Sequence, residues 1–83
     1  MQLRSEGITW QEIDGELVIL DTARSVYLTT NVAGTHLAKL LTEDRSLDEL
    51  ADALEAEYGI DRATAMTDAQ AFVADLRDSD LLR

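Results

Sequence analysis

The chain contains no cysteine, so a disulfide scaffold, a thiolate metal site and a cysteine nucleophile are all excluded. It contains no proline, so nothing interrupts a helical pattern or strips a donor from a strand. Basic residues are scarce: 7 Lys plus Arg against 17 Asp plus Glu leave a formal net charge of −10. Nucleic acid is a poor partner for such a chain, because phosphate binding draws its affinity from Lys and Arg that release counterions. Long apolar runs are missing too. Leu17-Val-Ile-Leu20 falls far short of a membrane span, and the first residues lack a signal peptide's hydrophobic stretch. No membrane partner is expected, and the expected setting is soluble, reducing and cytoplasmic.

Catalytic groups are equally sparse. His36 is the only histidine, next to the apolar Leu37 on a helical stretch, and no serine or threonine with an orienting acid is spaced to make it a base. Without cysteine, a metal site would rest on carboxylates, and the pairs Asp48/Asp52 and Glu49/Asp52 read as a solvated acidic face. There is no glycine-rich phosphate loop. The chain reads as a non-enzyme with no cofactor and no metal.

What remains is 46% hydrophobic in 83 residues, enough for one small folded domain, residues 1–83, whose core lacks covalent staples. The acidity is concentrated late. Residues 1–42 carry five acids and three bases, and residues 43–83 carry twelve acids and four bases. The first third reads as strands, spanning about residues 8–29. Ile8–Ile13 and Leu17–Leu20 flank Asp14-Gly15, a hairpin pair in which both turn residues need positive φ. Ser25-Val26-Tyr27-Leu28-Thr29 supplies a third strand, giving an antiparallel meander with the middle strand at its centre.

Three helices follow, over about residues 31–79. Thr30 or Asn31 caps the first, with Ala33, Leu37, Leu40 and Leu41 at helical spacing. Ser46-Leu-Asp-Glu49 is a capping box opening the second, whose stripe is Leu47, Leu50, Ala51, Leu54 and Tyr58 and whose stop is Gly59. Asp61 caps the third, where Ala65, Ala69, Phe72, Val73 and Leu76 share a face. The fold class is α+β, and three short helices after a small sheet suit a winged helix-turn-helix. The usual ligand of that architecture does not suit the charge, since the third helix sets Arg62 and Arg77 against Asp61, Asp68, Asp75 and Asp78.

The third strand carries no lysine, proline or other charge of the kind that blunts a sheet edge. Left open beside an apolar helix, it offers a backbone ladder and side-chain pockets to an added peptide strand. Covered by the third helix or the N-terminal residues, Val26 and Leu28 are ordinary core. Sequence composition leaves both readings standing, and an acidic protein–protein adaptor is the rival class. A carrier-protein reading of Asp44-Arg-Ser46 is weaker, because Arg45 separates the acid from a serine that the capping box already explains.

Val26-Tyr-Leu-Thr-Thr-Asn31-Val-Ala-Gly34-Thr-His-Leu37-Ala-Lys-Leu-Leu41 resembles the strand-to-helix segment of the PqqD-like family. Ser46-Leu-Asp-Glu-Leu-Ala51 resembles its next helix start, and Asp68-Ala-Gln-Ala-Phe72-Val73-Ala-Asp-Leu76 with Leu81-Leu82 resembles its last helix and C-terminal pair. The chain departs from the pattern at Thr30, inserted before Asn31, at Leu37, where tryptophan is common, and at Asp80, where glycine precedes the final leucines. The resemblance implies a winged helix-turn-helix that recognises the leader peptide of a ribosomally made precursor, most like the discrete proteins of lasso-peptide synthesis. The leader would lie as an extra strand on Ser25, Val26, Tyr27, Leu28 and Thr29, against Asp68, Ala69, Phe72, Val73 and Leu76 of the third helix. The partners implied are that precursor leader, a separate transglutaminase-like cysteine peptidase and the cyclase. Apolar pockets from Val26, Leu28, Phe72 and Leu76 would select the leader, with Asp75 screened by solvent and Tyr27 on the opposite pleat.

Overall fold

A computed structural model describes residues 1–83. Three strands, β1 (Ile8–Ile13), β2 (Glu16–Asp21) and β3 (Val26–Thr30), precede three helices, α1 (Val32–Leu40), α2 (Leu47–Tyr58) and α3 (Arg62–Asp78). The sheet order is β1-β2-β3, antiparallel throughout, as the meander requires. Asp14 and Gly15 hold φ of 53° and 81°, the left-handed pair that closes Ile13 against Glu16 in a two-residue turn. The second connection differs from the sequence expectation. Ser25 has φ of 56° and sits in the turn, so β3 begins at Val26 and ends at Thr30. The turn is shaped by Asp21, whose Oδ1 accepts from the Arg24 backbone N–H at 3.3 Å.

Every helix starts on a side chain that accepts one of its free N–H groups. Asn31 Oδ1 accepts from Gly34 at 2.8 Å, Ser46 Oγ from Glu49 at 3.1 Å and Asp61 Oδ1 from Thr64 at 2.7 Å. Glu49 completes the box by accepting from the Ser46 N–H at 3.0 Å. Gly59 ends α2 in the left-handed conformation. Asp80, with φ of 56°, turns the chain after α3 so that Leu81 enters the core. Glycine meets that backbone demand without a side-chain penalty, in keeping with the pattern that the chain's end resembles.

The core gathers Leu17 and Ile19 from the sheet, Leu37, Ala38 and Leu41 from α1 and its cap, Leu50, Ala51 and Leu54 from α2, and Ala65, Ala69, Val73 and Leu76 from α3. Tyr58 is an exception to its expected stripe and stands exposed at the end of α2. The small residues Ala51, Ala65 and Ala69 are fully buried, allowing α2 and α3 to pack closely. Arg62 locks that pair from outside, donating to Asp48 at 3.0 Å, to Glu55 at 3.0 Å and to Asp52, all on α2. The hydrogen bonds it donates to Asp52, foremost, and to Glu55 raise the Arg62 pKa above its ordinary value.

The two ends of the chain bind each other. Leu3 bridges Leu82, Arg4 N–H donates to the Leu81 carbonyl, and Arg83 N–H donates to the Gln2 carbonyl. Beneath them lies Asp21, 1% exposed, paired with Arg4 at 3.3 Å and facing Arg24 at 3.9 Å; Asp80 joins the same two arginines. The N-terminal segment is thereby held away from β3, whose only strand neighbour is β2. No helix is long and apolar enough to cross a membrane.

Candidate functional site

The free side of β3 faces a groove of about 340 Å³ that runs to α3. Leu28, Thr29 and Thr30 form one wall, and Asp68, Ala71, Phe72 and Asp75 of α3 form the other. Asn31, Ala33, Gly34 and Leu37 of α1, with Leu54 of α2, close it beneath. Gly34 sets how closely these parts approach. A Cβ there would lie 2.8 Å from Thr30 Cβ and 3.1 Å from Phe72 Cε1, inside ordinary contact distance. Thr30 is pinned at the same corner. Its hydroxyl lies 2.9 Å from the Asn31 carbonyl oxygen and 3.0 Å from the Thr35 hydroxyl, which donates to that carbonyl at 2.9 Å.

Which backbone groups point into the open follows from the hairpin. Ile13 and Glu16 close a two-residue turn and exchange both hydrogen bonds, so even-numbered β2 residues address β1. The Thr22 N–H donating to the Gly7 carbonyl at 3.1 Å continues that parity. Odd-numbered β2 residues therefore address β3, and their partners Val26, Leu28 and Thr30 direct N–H and C=O toward β2. Tyr27 and Thr29 are left with both groups pointing outward, toward solvent and the groove. An extended peptide would pair with these two residues.

The side chains divide by pleat. Leu28 is half-buried on the helix-facing side of the sheet and lines the groove with Phe72, also half-buried. Tyr27 is 67% exposed on the opposite face, beside Leu20. Val26 is half-buried opposite Asp21, on the pleat of Leu28 but outside the groove. Ser25 lies in the left-handed turn beyond the strand. On α3 the groove face is rotated from the one the sequence indicates. Ala69, Val73 and Leu76 are buried in the core and do not line the groove. Phe72 stands at the boundary of that apolar stripe, so the exposed neighbours on its other side, Asp68, Ala71 and Asp75, reach the groove instead. Asp75 thus belongs to the wall and not to the open solvent face. Thr30, Asn31, Ala33, Gly34, Leu37 and Leu54 complete the lining, residues that the sequence reads as caps, helix packing or core and not as part of a peptide site.

His36 is half-buried on α1 and lies outside the groove. Nowhere do three or more metal-ligating side chains converge. The groove contains two carboxylates, hydroxyls, aliphatic carbon and one aromatic ring, an assortment suited to binding an extended chain by backbone pairing and apolar contact.

Residues 16–82 match the family model for coenzyme PQQ synthesis protein D. Among solved structures, the chain is similar to TbiB1 in complex with the TbiA(beta) leader peptide, at 31% identity and a TM-score of 0.86, covering all of this chain and 95% of that one. It is also similar to a lasso peptide synthetase B1 complexed with the leader peptide, at 26% identity and a TM-score of 0.81, covering 96% and 93%. No curated protein matches it. A family match over most of its length, from β2 through the three helices, establishes that the chain belongs to the PqqD family.

Proposed function

We propose that this protein binds the leader peptide of a ribosomally synthesised lasso-peptide precursor by adding it as a strand to β3, and presents it to a separate leader peptidase. The observation that carries the reading is the groove itself. An uncovered strand edge, with Tyr27 and Thr29 offering outward backbone groups, faces an apolar ring on α3 across about 340 Å³. Two structural relatives sharing the fold hold leader peptides. The protein's contribution is positional: a held leader makes attack by the transglutaminase-like peptidase, and then the cyclase, effectively intramolecular. No cleavage chemistry of its own is part of this reading, and the cytoplasm, where precursors are translated, is its expected setting.

The experiment is calorimetric titration of synthetic lasso-peptide leaders into wild-type protein and Phe72→Ala. Saturable binding that Phe72→Ala weakens supports the reading, and wild-type affinity in the folded variant overturns it. Incubating the protein alone with full-length precursor, followed by mass spectrometry, tests the absence of cleavage. Leader removal without added peptidase would refute that part.

A further inference from the structure

The groove's charge is one-signed. Asp68 and Asp75 stand on its α3 wall, and no lysine, arginine or histidine lines it. The chain's own bases do not neutralise them. Arg4 and Arg24 close on Asp21 and Asp80, Lys39 on Glu12, Arg45 on Glu43 and Glu49, and Arg62 on the acids of α2, while Arg77 and Arg83 form no ion pair and stand outside the groove. Neither Asp68 nor Asp75 takes part in an ion pair, although both line the groove.

Their spacing has a direction. Asp68 and Asp75 are seven residues apart, about 10.5 Å along the helix axis, with Phe72 between them on the same side. On an extended peptide, side chains sharing a face recur about every 6.6 Å, so residues four apart are separated by about 13 Å. The flexible stems of lysine and arginine absorb the difference. We propose, resting on the strand-addition reading above, that the groove selects leaders carrying a basic-x-apolar-x-basic segment, the apolar side chain seated between Leu28 and Phe72 and the two cations on Asp68 and Asp75. Asp68 and Asp75 are thus specificity-determining residues, and recognition is electrostatic as well as apolar.

The test is selection from a displayed library of random linear peptides against four proteins: wild type, Asp68→Asn with Asp75→Asn, Phe72→Ala, and Glu57→Gln with Asp78→Asn. The last pair removes the same charge from exposed positions outside the groove. Wild type and the distal control should enrich Lys or Arg two residues either side of an apolar residue. The groove double variant should keep the apolar preference, lose the basic one, and bind the wild-type winners about threefold to tenfold more weakly, with most of that difference vanishing at high salt. Winners without the basic pattern, or a pattern that the distal control loses equally, overturn the proposal while leaving strand addition standing. Winners that Phe72→Ala binds as well as wild type overturn strand addition in the groove, and the charge proposal with it.

Discussion

Gly34 and Phe72 set the shape of the groove between them. Alanine at position 34 would gain about 1 kcal/mol in helix propensity. Its Cβ would also sit 2.8 Å from Thr30 Cβ, an atom fixed to the backbone and unable to swing aside. The clash wins, and Gly34→Ala should destabilise the fold by about 1–2 kcal/mol in urea unfolding, with leader affinity falling as Phe72 is displaced. Phe72 and Leu76, one turn apart, should separate two kinds of loss. Leu76 is wholly buried, so Leu76→Ala should cost about 2–5 kcal/mol of stability. Phe72 is half-buried at the groove, so Phe72→Ala should cost a few kcal/mol of leader affinity and less stability than Leu76→Ala. Paired urea melts and titrations measure both, and equal stability losses would place Phe72 in the core instead.

Among the elements, β3 carries the sharpest expectation. Thr29 directs its N–H outward, so Thr29→Pro should leave the β2–β3 ladder intact and abolish leader binding. Leu28→Pro removes an N–H that serves the ladder itself and should unfold the sheet, seen as lost strand signal in circular dichroism. The contrast between the two follows from parity in the hairpin. What was legible in the sequence was whatever local chemistry specifies: Asp14-Gly15 for the turn, Asn31, Ser46 and Asp61 for the caps, and Gly59 for the stop. Ser25 reads as the first residue of the strand and lies instead in the turn, because serine does not advertise a positive φ. On α3 the sequence points to Ala69, Val73 and Leu76 because they define a clean apolar period that Phe72 adjoins, whereas the residues lining the groove lie on the other side of Phe72. Whether Phe72 belongs to that period or to the acidic face beside it depends on where β3 passes, a long-range fact absent from local spacing. Asp75 reads as solvated from local spacing for the same reason.

Across the whole molecule, charge sets the response to solution conditions. Asp61 is held below the usual carboxylate range by the backbone N–H of Thr64, Glu49 by that of Ser46, and Asp44 by the ammonium of Met1. Lowered folded values mean that their contribution is fully present above the ordinary carboxylate values, 3.8 for Asp and 4.5 for Glu, and is lost as pH falls through the lowered ones. Thermal melts should therefore show stability declining below about pH 4.5, and a melting temperature flat from pH 7 to 3 would contradict it. At pH 7 added salt screens the self-repulsion of a chain with net charge −10 and should raise the melting temperature, while the same salt weakens any cationic leader's hold. The open edge of β3 adds a colloidal consequence. Two copies placed antiparallel about a twofold axis would satisfy the outward groups of Tyr27 and Thr29 in each other, the first step toward edge-to-edge aggregation. With no lysine or proline on the strand to forbid that meeting, global charge is the deterrent, and it disappears as pH approaches 4.2. Light scattering at fixed concentration should rise toward that pH, and a peptide seated on β3 should suppress the rise by capping the edge.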